Sequence, residues 1–425
     1  MKGAAALAPA LRDAARMVAR VAAGRSLADE FARLAEEGVE TPRSALLDLT
    51  HGALRRYGRV QGIVAELSRR GPPDPLVQAL LWCSLYALES GRYADYTVVD
   101  QAVRACALLE RWTAKAYVNA LLRSFLRERA TLESRIKVDA EARYQHPQWW
   151  IDLVHRAHPE SWQEVLAAGN AHPPMTLRVN RRRSSVAGYA RRLAQEGMEA
   201  RVVGEAALVL EKPVPVERLP GFGEGEVSVQ DAGAQRAAGL LDLVSGQRVL
   251  DACAAPGGKS AHILERCDVA LTALDVDAAR GERIARSLER LSLRAAVLTA
   301  DCTRPEAWWD GVAFERILAD VPCTASGVAR RHPDLKWLRR AGDPAAFAAR
   351  QAAILDALWQ LLAPDGKLLY ATCSVFPQEN QELVQAFVAR TERARALPLP
   401  DGGPPQWLPG AQHDGFYYAL IQKQA

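Results

Sequence analysis

The sequence predicts a multidomain protein that begins with an all-α domain, continues with a small α+β connector and ends with a doubly wound α/β domain. The chain has 425 residues, more than one domain usually contains. Apolar residues recur at three- and four-residue spacing in its first part, whereas strand-like and helical stretches alternate after residue 244. We therefore expect three domains, at residues 1–138, 139–237 and 238–425.

The first two domains carry clusters of arginine. The first domain is predicted to consist of helices, for example at SLADEFARLAEE and KAYVNALLRSFLRER. Arginines recur on the polar faces of its helices: Arg55, Arg56, Arg59, Arg69, Arg70, Arg123, Arg127 and Arg129. In the connector, the predicted strand MTLRVNRRR and the next helix hold a denser cluster: Arg178, Arg181, Arg182, Arg183, Arg191 and Arg192. Arginine forks suit phosphate groups, but a solvated surface also explains both clusters.

The third domain alternates strands with helices. Its strands are predicted at RVLDAC, VALTALD, AAVLTAD, FERILADVP and GKLLYATCS, with a long helix from Ala345 to Leu362 before the last of these. This rhythm predicts a doubly wound parallel sheet, which binds ligands at the carboxyl ends of its strands.

Acidic and glycine-rich segments follow the first three of these strands. In the loop from Asp251 to Lys259, DACAAPGGK, the two glycines allow a nucleotide-type ligand to approach the backbone closely. Asp275 ends the second strand, where a carboxylate can accept hydrogen bonds from ribose hydroxyls, and Asp301 ends the third, where it could bind an adenine amino group. A tight turn and helix N-caps are the alternative interpretations.

Two cysteines and a carboxylate end the fourth and fifth strands. Asp320 and Cys323 belong to the segment Asp-Val-Pro-Cys, and Cys373 belongs to Ala-Thr-Cys-Ser. A single cysteine is usually a buried structural residue, but two at adjacent strand ends depart from that pattern. A thiolate is a strong carbon nucleophile, and beside a nucleoside cofactor it suits methylation of an unactivated pyrimidine carbon.

The composition is that of a soluble globular protein, with 49% hydrophobic and 24% charged residues. No apolar run reaches the ~18 residues that span a bilayer, and Arg12 and Asp13 fall where a secretory signal is apolar. We expect a cytoplasmic protein without a membrane partner. The seven cysteines form no C-x-x-C pair, so we expect neither a disulfide framework nor a metal site. The net charge of +4 permits a nucleic-acid partner without requiring one.

Three long segments strongly resemble the RNA cytosine-C5 methyltransferases, and the resemblance is close to the RsmB (Sun/Fmu) branch. They are DACAAPGGKSAHILE, DVPCTASGVARRHPDLKWLRR and YATCSVFPQEN, similar to the cofactor, target-base and nucleophile loops of that family. The resemblance continues through the closing strand DGFYYALI, the segment FGEGEVSVQDAGAQ and the N-terminal helices. It implies a NusB-like RNA-binding domain, an α+β connector and a Rossmann-like class I methyltransferase domain.

The resemblance also assigns residues and the cofactor S-adenosylmethionine. The residues that would line the cofactor site are Cys253, Ala254, Ala255, Pro256, Gly257, Gly258 and Lys259. Asp275 would hold the ribose, Asp301 the adenine side, and Asp320 would lie between cofactor and target base. Cys373 matches the nucleophile, and Cys323 the second thiol that helps release the product. Lys259 would either lower the pKa of the thiolate or orient the loop.

The implied reaction is methyl transfer to C5 of one cytosine in 16S rRNA, cytosine 967, through a covalent bond between Cys373 and C6. The base must leave any stack, which favours a single-stranded or loop cytosine and makes DNA an unexpected partner. Basic and aromatic residues that follow Cys323 would contact phosphates and stack on a base, unless they form a solvated loop: Arg330, Arg331, His332, Lys336, Trp337, Arg339 and Arg340.

Three other functions fit part of the sequence. A tRNA cytosine-C5 methyltransferase would share the catalytic motifs, and only the NusB-like N-terminus points to rRNA. A non-catalytic RNA-binding or antitermination-like protein would have no need of both thiols. An NAD-dependent oxidoreductase would share the fold, but the loop lacks the G-x-G-x-x-G fingerprint.

Overall fold

The computed structural model describes residues 7–68, 71, 72 and 74–425. The chain forms two compact units. The first extends to Ala171 and includes the segment Ala329–Ala341, and the second comprises His172–Val328 and Gly342–Ala425. The three-domain division at residues 138 and 237 stays a prediction.

The first unit is helical, as the apolar spacing predicts. Its first ten helices are α1 (Leu7–Ala22), α2 (Leu27–Glu36), α3 (Arg43–Arg55), α4 (Tyr57–Leu67), α5 (Pro75–Ser90), α6 (Asp95–Leu108), α7 (Lys115–Ile136), α8 (Ala140–Tyr144), α9 (Gln148–Ala157) and α10 (Trp162–Asn170). Helix α5 shows how local sequence sets these bounds. Asp74 accepts hydrogen bonds from the amides of Leu76 and Val77 at its start, and Gly91 ends it with a φ of 66°. Leucine, alanine and valine side chains from α1, α3, α5 and α6 fill the core.

The second unit begins with a small antiparallel sheet, ordered β2-β3-β1-β4. Its strands are β1 (Met175–Val179), β2 (Ala200–Val202), β3 (Ala207–Leu210) and β4 (Val227–Val229), and helix α11 (Val186–Gln195) packs on it. Leu177 and Val179 on β1 meet Tyr189 and Leu193 on α11. The predicted α+β connector, with a strand at MTLRV, is confirmed.

A larger eight-stranded sheet follows, in the order β10-β12-β9-β8-β5-β6-β7, with β11 paired to β12. Its strands are β5 (Arg248–Asp251), β6 (Ala270–Asp275), β7 (Ala296–Thr299), β8 (Phe314–Asp320), β9 (Leu362–Thr372), β10 (Ala394–Leu397), β11 (Gln406–Trp407) and β12 (Phe416–Lys423). The helices beside it are α12 (Ala232–Leu240), α13 (Gly258–Arg266), α14 (Ala278–Arg290), α16 (Asp343–Leu361) and α17 (Gln381–Arg390), while α15 (Leu335–Leu338) belongs to the first unit.

Five consecutive strands of this sheet, β9-β8-β5-β6-β7, are parallel, which confirms the Rossmann-like prediction. Strands β10, β11 and β12 are antiparallel, so the whole sheet is mixed. No helix separates β10 from β12, and the chain therefore returns as an antiparallel ladder instead of crossing over. The carboxyl ends of the parallel strands share one edge of the sheet, which gathers Asp251, Asp275, Asp320 and the residues after β7 and β9 there. In the described part of the chain, no helix is both long and apolar enough to cross a membrane.

Candidate active site

A cavity of about 520 Å³ opens at the carboxyl ends of the parallel strands. Seven of the predicted site residues line it: Cys253, Ala255, Asp275, Asp301, Asp320, Cys323 and Cys373. The other predicted residues of the loop, Ala254 and Pro256 to Lys259, are not part of its lining. The sheet therefore brings the predicted cofactor acids and both thiols to one space.

The loop after β5 is held by its neighbours on both sides. The amide of Ala252 donates to the carbonyl of Leu318 at 2.9 Å, and the amide of Ala254 donates to that of Leu274, also at 2.9 Å. Gly257 has a φ of 94°, and a Cβ there would lie 3.1 Å from the Cα of Ile284, so this position requires glycine. The alternative of an ordinary tight turn explains the glycine but not the anchoring to two adjacent strands.

Two carboxylates have their orientation fixed by backbone amides. Asp275 accepts hydrogen bonds from the amides of Ala255 at 3.1 Å and Asp277 at 3.2 Å. The N-cap of α14 is Asp277 and not Asp275, so the N-cap alternative for Asp275 is wrong. Asp301 accepts from the amide and hydroxyl of Thr303 at 2.9 and 2.7 Å, and these bonds lower its pKa. Both side chains thus present pre-oriented oxygens to the cavity.

Lys259 forms an ion pair with Asp320 across the loop, with Nζ 2.6 Å from Oδ2. Burial lowers the pKa of Lys259, but the adjacent Asp320 carboxylate more than offsets this effect and the pKa is raised overall. Cys373 adds a smaller attraction. The main contact of Lys259 is therefore with Asp320, a partner that the two sequence interpretations of this lysine did not include.

The two predicted thiols lie together, with their Sγ atoms 3.4 Å apart. Cys323 is 8% exposed, whereas Cys373 is more accessible at the cavity wall. The hydrogen bond to Cys373 and burial both raise the pKa of Cys323 well above its ordinary value. Cys323 therefore holds its proton more tightly, and Cys373, at the cavity wall, is the better placed nucleophile.

A buried carboxylate that the sequence analysis missed joins the two thiol loops. Glu379 accepts hydrogen bonds from the amide and hydroxyl of Thr324 at 2.7 and 2.5 Å and from the hydroxyl of Ser374 at 2.6 Å. Thr324 directly follows Cys323, and Ser374 directly follows Cys373. Gln351 adds a fourth donor at 3.3 Å, and the side chain of Glu379 has no exposed surface. The signal was present in the quoted segment SVFPQEN, where an acid lies five residues beyond Ser374.

Part of the predicted RNA-facing segment is buried instead. Lys336 has no exposed surface, and its ammonium donates to the carbonyls of Arg55 and Gln145 and to Oδ1 of Asn170 at 2.7–3.1 Å. Trp337 donates from Nε1 to the carbonyl of Leu54, and its ring packs 4.7 Å from that of Tyr57. The prediction of a phosphate contact by Lys336 is therefore wrong, because its ammonium is buried among these acceptors. Trp337 is half-buried, and a stacking surface on it stays a prediction. Arg330 is also buried, at 2% exposed, whereas a role of the more exposed members stays a prediction.

Arg178 is a second correction. Its guanidinium is 1% exposed, donates twice to Glu265 at 2.7 and 2.9 Å, and donates to the carbonyl of Gly258 at 2.6 Å. It is a buried structural ion pair that supports the start of α13, not a phosphate ligand. The other arginines of that cluster lie on the surface.

The N-terminal arginines also divide between core and surface. Arg55 is 8% exposed and donates to the carbonyl of Arg330. Arg123, Arg127 and Arg129 are exposed on α7. Arg69 and Arg70 lie outside the described residues.

Comparison with known proteins gives matches along most of the chain. The sequence model described as 16S rRNA methyltransferase RsmB/F matches residues 238–422, a RsmF/B-like ferredoxin-like domain matches 146–217, and the NusB family matches 10–127. The ribosomal RNA small subunit methyltransferase B of Vibrio cholerae is 41% identical over 94% of this chain and 94% of its own length. The protein of the same name from Pseudomonas putida is 42% identical over 97% and 98%. The crystal structure of PH0851 has a TM-score of 0.81 at 22% identity and covers 99% of this chain and all of its own, a likeness in fold.

Proposed function

The chain belongs to the RsmB/F family of 16S rRNA methyltransferases, and from this premise we propose that it methylates C5 of a cytosine in small-subunit rRNA through a covalent thiol adduct. The observation that supports this chemistry is the pair of thiols, Cys323 and Cys373, 3.4 Å apart at the wall of the cavity. A methyltransferase whose acceptor atom is an oxygen or nitrogen needs no such pair of thiols, because these atoms are already nucleophilic.

The cavity fits S-adenosylmethionine as the cofactor. Asp275 and Asp301 offer pre-oriented carboxylate oxygens for the ribose and adenine ends, and the loop from Cys253 to Lys259 would hold the rest. The carboxylate of Asp320 also lines the cavity and would attract a nearby sulfonium cation. When bound, the cofactor supplies an electrophilic methyl group.

Activation of the base is assigned to Cys373. Its thiolate attacks C6 of cytosine, a carbon–sulfur bond forms, and the electron pair of the C5–C6 double bond moves toward C5 and N3. Asp320 and Lys259 form the ion pair that holds a proton to share with N3 as charge builds there. C5 then becomes an enamine carbon able to accept the methyl group.

Release of the product is assigned to Cys323. While Cys373 is free, the hydrogen bond between the thiols is the largest cause of the raised pKa of Cys323. Once Cys373 is bonded to C6 that cause is removed, so Cys323 loses its proton to water more readily, and the resulting thiolate takes the proton from C5. The pair of electrons from the C5–H bond re-forms the double bond and expels Cys373 as a thiolate.

The substrate in this proposal is an unstacked cytosine of 16S rRNA, cytosine 967, and the site of action is the cytoplasm. The test is methyl transfer from tritiated S-adenosylmethionine to small-subunit rRNA and to bulk tRNA, with the labelled nucleoside identified by chromatography and its position by sequencing. We expect 5-methylcytidine in the rRNA alone. Label confined to tRNA would reassign the substrate, and a labelled nucleoside other than 5-methylcytidine would overturn the proposed reaction.

A further inference from the structure

The helical unit has a basic cleft of about 460 Å³ between helices α4, α7 and α8. Five cationic side chains line it: Arg56, Arg59, Arg129, Lys137 and Arg143. Only two carboxylates, Glu89 and Glu133, line it with them, so the cleft has three more cations than acids. No step of the methyl transfer uses this cleft.

Close packing of α8 on α4 shapes one wall of the cleft. A Cβ on Gly58 would lie 2.4 Å from the carbonyl oxygen of Glu141, so glycine is needed where the two helices meet. A Cβ on Gly62 would likewise lie 3.3 Å from the Cβ of Ala142. Arg143 on α8 is thereby held at the same cavity as Arg59 on α4 and Arg56, the residue before α4.

The two carboxylates of the cleft are already engaged. Arg59 lies 2.7 Å from Glu89 and 2.5 Å from Glu133. The hydrogen bond from Arg59 lowers the pKa of Glu133, which keeps it ionised and paired at neutral pH. Glu89 also lies 3.4 Å from Arg56, and Glu133 lies 3.5 Å from Lys137. Both acids are therefore engaged by cations other than Arg129 and Arg143.

Two arginines at that edge have no acidic partner. Within the described chain, no carboxylate lies within 4.0 Å of Arg129 or Arg143; instead their guanidinium groups lie over the rings of Phe125 and Tyr144, at 5.7 and 5.0 Å from the ring centres. Both side chains are exposed. Stacking on a ring fixes the plane of a guanidinium while its N–H donors stay available.

The opposite wall is rigid. Asn170 donates to the carbonyl of Tyr144 at 2.8 Å and accepts from the buried Lys336 at 2.7 Å, and the carbonyl of Gln145 accepts from the same lysine at 2.9 Å. Asn170 and Gln145 both line the cleft. A ligand therefore meets a preformed site, which reduces the ordering cost of binding.

We propose that this cleft binds backbone phosphate groups of the substrate RNA, with Arg129 and Arg143 as the principal ligands. The inference rests on the proposed function, because it takes RNA as the ligand, and it adds a substrate-binding site remote in sequence from the catalytic motifs. Phosphate contacts of this kind position a nucleic acid without reading its sequence. An acidic protein segment would also satisfy the charge, but the planar, bidentate groups suit phosphate and the substrate already supplies it.

The test is filter binding of radiolabelled small-subunit rRNA to the full-length Arg129→Gln/Arg143→Gln variant at 50–200 mM salt. We expect affinity to fall about tenfold or more, and the slope of log affinity against log salt to shrink by roughly 1.4–1.8, the value for two lost phosphate contacts. In methyl transfer, the KM for rRNA rises while kcat at saturating rRNA is unchanged. The matched control is Arg16→Gln/Arg25→Gln, which removes two exposed arginines of the same unit that do not line the cleft.

Unchanged affinity and slope in the variant would overturn the proposal. So would loss of binding to fluorescein-labelled polyglutamate without loss of RNA binding, because that result would assign the cleft to an acidic protein segment. The binding measurement does not depend on catalysis. If the wild type binds the rRNA but never methylates it, the proposed reaction fails and the proposal for the cleft is still decided by the variant.

Discussion

Charged side chains are arranged in opposite ways in two regions of the molecule. Beneath the thiols, Glu379 is buried and accepts hydrogen bonds from Thr324, Ser374 and Gln351. At the edge of the helical cleft, Arg129 and Arg143 are exposed and have no carboxylate partner among the described residues. The first arrangement fixes geometry for a reaction, whereas the second keeps donors available for a ligand. Substitutions of the buried charged groups should therefore lower stability or kcat. Substitutions at the edge of the cleft should weaken RNA binding alone.

The largest effect is expected at Arg178, in the buried ion pair with Glu265. Arg178→Ala should lower the free energy of unfolding by about 3–5 kcal/mol, because it leaves Glu265 charged and unpaired in the interior. Urea unfolding measures the loss, and Arg178→Met/Glu265→Met should restore most of it. The control is Arg192→Ala, which removes an exposed partner of Glu226 and should cost about 1 kcal/mol or less. Equal losses in the two single variants would contradict the distinction between buried and exposed pairs.

A second effect depends on pH and comes from Asp251, which has no exposed surface. Burial raises its pKa from 3.8 to about 7. An acid whose folded pKa is raised contributes its full stability below the unfolded pKa, and that contribution is lost as pH rises through the folded pKa. Between pH 4 and pH 7 the free energy of unfolding of the wild type should therefore fall by roughly 4 kcal/mol relative to that of Asp251→Asn. Above pH 7 the difference between the two proteins should stay constant. A difference that is constant from pH 4 to pH 8 would show that Asp251 is ionised in the folded protein.

At Glu379 we expect a loss of rate. Glu379→Gln should reduce kcat about 100-fold, because an amide NH2 cannot accept hydrogen bonds. It would face either the donors at Oε1, the amide of Thr324 and the side chain of Gln351, or those at Oε2, the hydroxyls of Thr324 and Ser374. A displacement of about 1 Å at the reacting atoms has that cost. The Kd for S-adenosylmethionine should stay as in the wild type, which separates lost positioning from general unfolding. Glu382→Gln, an exposed acid three residues further on, serves as the control. An unchanged kcat in Glu379→Gln would show that the thiols keep their positions without the carboxylate.

The smallest effect on stability is expected in the cleft. Arg129→Gln/Arg143→Gln should change the free energy of unfolding by no more than about 0.5 kcal/mol, since both side chains are exposed and make no ion pair in the described structure. The stability is measured by thermal unfolding, and the affinity for rRNA is measured on the same preparation. A drop in Tm as large as that of Arg178→Ala would mean that these arginines are structural, and would remove the contrast between the two regions.

Much of the second unit could be predicted from the sequence because its signals are local. Strand, turn and acid lie next to one another at Asp275 and Asp320, and topology alone then brings such strand ends to one edge of the sheet. The thiol pair followed from the same argument, since Cys323 and Cys373 end neighbouring strands.

The errors arose where charge was used to predict exposure. Arg178 pairs with Glu265, 87 residues away, and Lys336 is buried against carbonyls up to 281 residues away. A basic residue in the sequence looks the same whether it faces solvent or satisfies buried acceptors, and only the tertiary structure decides. Glu379 was missed because its role also depends on tertiary contacts. Its hydrogen-bond donors come from two loops that are 50 residues apart in sequence.

The central claim is that Cys373 attacks the base and Cys323 resolves the adduct. The direct measurement is denaturing gel electrophoresis of each cysteine variant after incubation with S-adenosylmethionine and radiolabelled small-subunit rRNA. We predict that Cys323→Ala accumulates a protein–RNA band that nuclease removes, while Cys373→Ala forms no such band and transfers no methyl group. An adduct in Cys373→Ala and none in Cys323→Ala would contradict the account and reverse the roles of the two thiols.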